Sequence, residues 1–390
     1  MRNVRGTIAV ALGLMGLAAA PASAYDEMDN LAQAWGQTQK DFGDPQVTGA
    51  TIVNSATNAV ANLQDPDAPR QGPYQLHQWP WSGDPKREAW DGRRQDVTLT
   101  CGTGKLAASV SAPRTGELKV NGRAPGVVIN EGFQGNQKMY AWATQGLADA
   151  GYVVMIYDSP GQGHSDQSVS CPGGTLKAAV DWFRSGANPF ASELDVDRIG
   201  TAGHSAGAGA VQSLGDYNGI VKAISAWSSL SGTYAGNAPI QGQGADYDTW
   251  IAPPTPTSAD GPDSAGKLPA FEALRQRNPG LDVQQVIIES ATHLAWSHVT
   301  WSYTSVWSEE VALHYALAWF DRYLANDHAR GGLTATQRIK GNYAAHDYAR
   351  AYDVQEDWAG ADKETHGLSK KYLSAYAIGG DVCRNQRLGC

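Results

Sequence analysis

The pentapeptide Gly203-His204-Ser205-Ala206-Gly207 decides the fold that this sequence predicts. It has the pattern G-x-S-x-G and lies between a strand-like run at residues 198–202 and a run of small residues at 208–211. Where a strand turns sharply into a helix at this pattern, the serine takes a strained conformation that projects its hydroxyl above the sheet. A glycine-rich loop could show the same five letters, but both flanks favour the sharp turn. We therefore predict that Ser205 is a nucleophile and that His204 has a structural role in the turn.

The sequence around this motif predicts an α/β protein. Segments with helical spacing alternate with apolar runs that suit buried strands. A hairpin is expected at residues 97–110, further strands at 126–130, 152–157, 221–226, 239–243 and 283–289, and helices at 140–150, 176–184 and 309–325. This alternation predicts a mostly parallel, doubly wound sheet flanked by helices, with the chemistry at the carboxyl ends of its strands.

The chain of 390 residues divides into four predicted parts. Residues 1–24 have the features of a secretory signal peptide, namely a basic start, a short apolar run and the cleavage motif Ala22-Ser23-Ala24. The apolar run is short for a membrane span, so we expect a secreted protein without a stable membrane anchor. An N-terminal extension at 25–95, a catalytic domain at 96–330 and a C-terminal extension without strong periodicity at 331–390 would follow.

Charge and cysteine content narrow the class of protein. Removing Arg2 and Arg5 with the signal peptide leaves 28 Lys and Arg against 39 Asp and Glu, a formal charge of −11. Nucleic acid is therefore not an expected partner. The four cysteines suit disulfides in an oxidising compartment. The short separation favours Cys383–Cys390, which leaves Cys101–Cys171. Zinc binding is the alternative, but the sequence contains no Cys-x-x-Cys pair and its histidines lie elsewhere, so no metal site is expected. No cofactor is expected either.

A serine nucleophile needs a base and a carboxylate that orients the base. His293 is the predicted base, because it follows the apolar run at residues 286–289 on the loop that leaves the last strand. His298 and His314 are alternatives, although His314 falls inside a predicted helix. Two carboxylates follow the strand at 239–243: the spacing from Gly244 favours Asp248, and the spacing from Gly242 favours Asp246. We select Asp248 as the acid and keep Asp246 as the alternative.

The tetrahedral intermediate of acyl transfer needs two backbone donors for its oxyanion. One donor is expected from Ala206, the residue after the nucleophile. The other is expected from the loop that follows the strand at 126–130, where we select the amide of Phe133. Glu131 lies beside this loop, and its carboxylate would oppose an oxyanion unless it is neutral or turned away.

Several stretches together resemble the α/β-hydrolase superfamily. They are Gly132-Phe133-Gln134-Gly135, Gly151-Tyr152-Val153-Val154 and the G-x-S-x-G motif. Residues 244–249, 291–293 and 316–323 are similar to the acid loop, histidine loop and last helix of the dienelactone-hydrolase-like and bacterial cutinase-like (polyesterase-lipase) branch. The resemblance implies an aromatic clamp around the ester, with Phe133 and Trp227 as its walls. Ala206 differs from the methionine that this branch usually has there.

These observations lead to three candidate functions. The first is a secreted serine esterase, lipase or cutinase-like hydrolase whose partner is an ester substrate, with lipids and polyesters as candidates. The second is an exported acyltransferase with the same triad, which would pass the acyl group to an alcohol instead of water. The third is a non-catalytic module for carbohydrate or cell wall, suggested by 13 Trp and 16 Tyr. The complete candidate triad favours the enzymes.

Overall fold

The computed structural model describes residues 74–76, 92–133, 135–248, 269–297, 303–305, 308–340 and 372–384. The strands in these ranges are β1 (Tyr74–Leu76), β2 (Arg94–Cys101), β3 (Gly104–Ser111), β4 (Ala124–Asn130), β5 (Val153–Tyr157), β6 (Leu194–His204), β7 (Val221–Trp227), β8 (Ile240–Tyr247), β9 (Val283–Thr292), β10 (Tyr303–Ser305), β11 (Tyr372–Ile378) and β12 (Asp381–Cys383). The α-helices are α1 (Ala141–Asp149), α2 (Thr175–Phe183), α3 (Ala206–Leu214), α4 (Pro269–Arg277), α5 (Ser308–Leu324) and α6 (Ala335–Lys340). Short 3-10 helices lie at Gln137–Tyr140 and His293–Trp296.

Ten of these strands form one sheet in the order β12-β11-β9-β8-β7-β6-β4-β5-β3-β2. The central strands from β9 to β5 are parallel, and antiparallel strands extend both edges. Strands β4 and β5 are buried along their whole length, as expected for parallel strands that are covered on both faces. The prediction of a mostly parallel α/β sheet is confirmed.

Helices cover both faces of the sheet. On one face α1 and α5 pack with the strands in a core that contains Trp142 and Trp319. On the other face α2, α3 and α4 pack in a second core that contains Phe183 and Phe271. Because helices pack on both faces of the sheet, the strands fix the starting points of the loops at their carboxyl ends.

The described part of the predicted C-terminal extension, residues 331–390, forms regular structure, although its sequence has no strong periodicity. Strand β11 pairs antiparallel with β9, placing Leu373 opposite Ile287, and β12 pairs with β11. The edge of β9 that faces away from β8 offers a row of backbone donors and acceptors. A short strand can therefore pair there even when its side chains show only a weak hydrophobic pattern. The sheet therefore includes strands from the segment after residue 330.

Part of the predicted N-terminal extension also belongs to the fold. Strand β1 pairs antiparallel with β10, so that Tyr74 lies opposite Ser305. The signal peptide predicted at residues 1–24 lies outside the described residues. Among the helices that the structure does describe, none has both the length and the apolar character needed to cross a bilayer.

The predicted disulfide between Cys101 and Cys171 is confirmed. Their Cα atoms are 5.1 Å apart, and the bond joins the last residue of β2 to the segment before α2. Cys383 is buried and disulfide-bonded. Its predicted partner, Cys390, lies outside the described residues.

Candidate active site

Ser205 occupies the sharp turn that the sequence predicts, between the end of β6 and the start of α3. Its backbone has φ 53° and ψ −113°, a conformation that side-chain-bearing residues rarely adopt. Its amide donates to the carbonyl of Trp227 at 3.0 Å, which ties the turn to the neighbouring strand. Such a strained serine at a strand-to-helix turn presents its hydroxyl at the carboxyl edge of the sheet.

The glycines of the motif are required by the close approach of the backbone. A Cβ atom on Gly203 would lie 2.4 Å from the carbonyl oxygen of Gly207. A Cβ atom on Gly207 would lie 2.1 Å from the carbonyl oxygen of Asn130 at the end of β4. Both contacts are with backbone atoms, which cannot move aside as a flexible side chain can.

We expect Gly207→Ala to destabilise the protein by about 1–3 kcal/mol, because the added methyl group overpacks the contact between α3 and β4. Gly209 is the matched control, since it lies in the same helix and a Cβ there would meet nothing within 4 Å. We expect Gly209→Ala to stabilise the protein by about 0.5–1 kcal/mol. Urea unfolding of both variants measures the difference, and equal effects would contradict the close approach.

The structure brings Ser205, His293 and Asp248 together in one hydrogen-bonded chain. His293 Nε2 lies 2.9 Å from Ser205 Oγ, and His293 Nδ1 lies 2.8 Å from Asp248 Oδ2. Asp248 directly follows β8 and His293 directly follows β9. Of the two predicted acids, Asp248 is therefore the partner of His293, and Asp246 lies within β8. His314 lies within α5, where burial lowers its pKa to about 4, and His298 is outside the described residues.

Ser228 joins this chain, although it is not among the site residues predicted above. Its hydroxyl donates to Asp248 Oδ2 and lies 2.9 Å from His293 Nδ1. Its own backbone has a positive φ of 65°, and its amide donates to the Gln243 carbonyl at 2.7 Å. Ser228 therefore contacts both the carboxylate and the imidazole and helps to hold them together. Its position directly after β7, at the same sheet edge as Ser205, is the signal that could have identified it.

The 3-10 helix that begins at His293 is anchored by Trp296. Its indole Nε1 donates to Gln243 Oε1 at 2.8 Å, while its carbonyl accepts from Trp142 Nε1 at 2.9 Å. Trp296 is fully buried. These bonds tie the loop that carries His293 to β8 through Gln243 and to α1 through Trp142.

The two predicted oxyanion donors follow β4 and Ser205, respectively. Phe133 follows β4, and the amide of Ala206 opens α3, where first-turn amides have no acceptor within the helix. Ser205, His293 and Phe133 line a common depression with a volume of about 20 Å³, which is room for about one water molecule. The Phe133 side chain is 71% exposed at its mouth.

The predicted role of Trp227 as a wall of an aromatic clamp is wrong. Its side chain is fully buried and packs at 5.1 Å, between ring centroids, against Trp142. Its indole Nε1 donates to Ser225 Oγ at 2.9 Å, so the polar end of the ring is satisfied inside the core. As the last residue of β7, Trp227 points into the packed face under α1, where substrate cannot contact it.

Glu131 is turned away from the oxyanion position. Its Oε1 accepts from the Ser159 amide at 2.7 Å and from the Gln162 side chain, and the carboxyl is 1% exposed. Burial, reinforced by the charge of nearby Asp158, raises the pKa of Glu131 well above its usual range, and these two hydrogen bonds only partly oppose the shift. The raised pKa favours the neutral form and thereby opposes a negative charge behind the predicted oxyanion loop.

We expect the free energy of unfolding of Glu131→Gln, relative to that of the wild type, to increase as the pH rises. A carboxyl with a raised pKa in the folded state binds its proton more tightly there than in the unfolded chain. Above the unfolded pKa, about 4.3, the wild type therefore loses stability by at most about 1.4 kcal/mol per pH unit until the folded pKa is reached. The glutamine variant has no such loss. Urea unfolding at a series of pH values measures the difference.

Glu193 provides a control of opposite sign. Its hydrogen bonds and charge contacts with Arg93 and Lys119 lower the pKa of Glu193 to about 2. The wild type should therefore lose this contribution as the pH falls from the unfolded pKa toward 2, and Glu193→Gln should be less stable than the wild type at neutral pH. A Glu131→Gln variant that behaved like Glu193→Gln would contradict the assignment of a buried neutral carboxyl.

Comparisons of the sequence with known proteins do not assign this chain to a family. No protein-family model matches the chain, and no curated protein is significantly similar to it in sequence.

Proposed function

We propose that this protein is a secreted serine hydrolase that cleaves carboxylic esters through an acyl-enzyme. The observation that carries the proposal is the chain from Ser205 Oγ to His293 Nε2 at 2.9 Å and from His293 Nδ1 to Asp248 Oδ2 at 2.8 Å. A nucleophile, a base and an orienting acid in this arrangement recur in acyl-transfer enzymes on unrelated folds, which supports the proposal.

In the first half of the reaction, Ser205 Oγ attacks the ester carbonyl while His293 Nε2 takes the hydroxyl proton. Asp248 stabilises the imidazolium that forms and keeps Nδ1 protonated. The amides of Phe133 and Ala206 would donate to the oxyanion of the tetrahedral intermediate. The intermediate collapses when the bond to the alcohol oxygen breaks, and His293 returns its proton to that oxygen, which leaves an acyl group on Ser205.

In the second half, water replaces the alcohol. His293 Nε2 accepts a proton from the water as its oxygen attacks the acyl carbonyl, and a second tetrahedral intermediate forms. Its collapse breaks the bond to Ser205 Oγ, which regains the proton from His293. The products are one carboxylic acid and one alcohol for each ester and water consumed.

The topology supports an α/β-hydrolase fold. In that fold the nucleophile follows a strand and opens a helix, and the acid and then the histidine follow it along the chain. Here Ser205, Asp248 and His293 come in that order, after β6, β8 and β9. The second oxyanion donor of the fold comes from the loop after the third strand, which in this sheet is β4, the strand before Phe133.

Export is supported by two independent features. The N-terminal residues have the composition of a signal peptide, and Cys101 and Cys171 form a disulfide across a sequence separation of 70. Disulfides of this kind persist in oxidising compartments outside the cytosol.

Hydrolysis of a series of p-nitrophenyl esters, from acetate to long acyl chains, beside a polyester film tests the proposal. We expect release of p-nitrophenol together with the free acid, and a preference along the series that separates esterase, lipase and cutinase activity. Product analysis in the presence of a competing alcohol separates hydrolysis from acyl transfer. A protein that releases no acid from any of these substrates contradicts the proposed function.

A further inference from the structure

A chain of three hydrogen bonds connects the oxyanion loop to the histidine loop behind the candidate active site. The Gly132 amide donates to Tyr140 Oη at 2.9 Å, and Tyr140 Oη lies 2.8 Å from His204 Nδ1. His204 Nε2 lies 2.9 Å from the carbonyl oxygen of His293. Tyr140, His204 and His293 are all buried. The chain therefore links the residue before Phe133, the residue before Ser205 and the backbone of the candidate base.

The two ends of this chain determine the direction of its two outer hydrogen bonds. The His293 carbonyl can only accept, so His204 must carry a proton on Nε2. The Gly132 amide can only donate, so Tyr140 Oη accepts there. Of the two neutral forms of the imidazole, only the one with its proton on Nε2 satisfies all three contacts, and in that form Nδ1 accepts from the Tyr140 hydroxyl.

The surroundings of His204 favour the same neutral state. Burial, followed by the nearby charge of His293, lowers the pKa of His204 to about 3. The His204 and His293 rings have centroids 5.1 Å apart, so a cation on His204 would oppose the imidazolium that the proposed mechanism forms on His293. A neutral His204 holds the loop without that repulsion.

The oxyanion loop packs closely against the side chains of this hydrogen-bonded chain. A Cβ atom on Gly132 would lie 2.8 Å from His204 Nδ1 and 3.1 Å from Tyr140 Oη. Gly135, which closes the same loop by donating to the Gly132 carbonyl at 3.0 Å, would place a Cβ atom 3.4 Å from Tyr140 Oη. The oxyanion loop is thus seated directly on the Tyr140 hydroxyl and the His204 ring.

We propose that Tyr140 and His204 are positioning residues that set the oxyanion amide of Phe133 relative to the pair formed by Ser205 and His293. This inference rests on the proposed ester hydrolysis. Neither side chain reacts with substrate. Tyr140 binds the Gly132 amide of the oxyanion loop and His204, and His204 in turn binds the backbone carbonyl of His293. An oxyanion donor stabilises the transition state only when it is aimed at the developing charge, so the chain acts on kcat more than on substrate binding.

Tyr140→Phe tests the proposal because it removes one hydroxyl and keeps the ring. The Gly132 amide and His204 Nδ1 both lose their partner. A shift of about 1 Å in a catalytic group costs about 10²-fold in rate, so we expect kcat for p-nitrophenyl acetate to fall about 10- to 100-fold. We expect KM to change by less than about threefold, and affinity for a trifluoromethyl ketone analogue of the tetrahedral intermediate to fall in parallel with kcat/KM.

Tyr234→Phe is the matched control. Tyr234 is also buried, and its hydroxyl donates to the Ala238 carbonyl at 2.9 Å on the opposite side of the sheet. We expect this variant to lose stability as Tyr140→Phe does while its kcat stays at the wild-type value. If Tyr140→Phe also kept the wild-type kcat, or if its loss appeared only in KM, the positioning role would be overturned.

A measurement on the wild type separates this inference from the proposed function. In protein labelled with ¹⁵N-histidine, the His204 nitrogen shifts should show a proton on Nε2 and none on Nδ1 throughout about pH 5 to 8, where a free histidine titrates. A proton on Nδ1, or a titration in this range, would overturn the hydrogen-bonded chain. Absence of esterase activity in the wild type would instead overturn the proposed function, and the histidine measurement would still test the chain.

Discussion

Ser205→Ala should lower kcat for p-nitrophenyl acetate by about 10⁶-fold, because removal of a triad serine leaves only the stabilisation from the oxyanion donors and from binding. The protein should remain folded, since Ser205 is only partly buried and its turn is held by the backbone bond to Trp227. Steady-state hydrolysis, with stability followed by thermal unfolding, measures both effects. Alanine has no hydroxyl to form the acyl-enzyme, so no burst of p-nitrophenol should precede the steady state.

Ser185→Ala provides the control for removing a serine hydroxyl. Ser185 Oγ donates to the Trp182 carbonyl at 2.7 Å near the end of α2, away from the candidate site. This variant should keep the wild-type kcat. If Ser205→Ala retained more than a trace of activity while its fold was intact, Ser205 would not be the nucleophile.

Asp248→Asn should lower kcat by about 10⁴-fold, the effect seen when the triad acid becomes an amide. The carboxylate accepts a hydrogen bond from Nδ1–H of His293 at 2.8 Å. An asparagine amide can donate to Nδ1 instead, which moves the imidazole proton to Nε2 and prevents that atom from accepting the Ser205 proton. We expect the loss in kcat with little change in KM, measured by steady-state kinetics.

Asp246→Asn separates the two carboxylates that the sequence left as alternatives. Asp246 lies within β8, one residue before its end, whereas Asp248 directly follows the strand. We expect Asp246→Asn to change kcat by less than about tenfold. A greater loss in Asp246→Asn than in Asp248→Asn would reverse the assignment of the acid.

Most of the sheet could be predicted because its central strands are buried on both faces and appear as continuous apolar runs. Residues 126–130 and 221–226 illustrate this, since the observed strands β4 and β7 begin and end within two residues of the prediction. Strand β11 was missed because pairing with the edge of β9 needs only backbone groups and leaves little pattern in the side chains.

The candidate triad could be predicted from the sequence because each of its residues directly follows a strand, and the carboxyl ends of parallel strands meet at one edge. The hydrogen bonds that support it could not be predicted. Tyr140 and Ser228 bond to residues 64 and 20 positions away, and local patterns do not encode such contacts. Trp227 was misplaced because a tryptophan at a strand end can face the cleft or the core, and only the packing against Trp142 decides between them.

Labelling with a fluorophosphonate probe tests most directly whether Ser205 is a nucleophile activated by His293. The probe forms a covalent bond only with an activated serine, and peptide mass spectrometry identifies the residue. We predict one probe per chain, attached to Ser205, and no labelling of a folded His293→Ala variant. A probe attached to another serine, or no labelling of the wild type, would contradict the account.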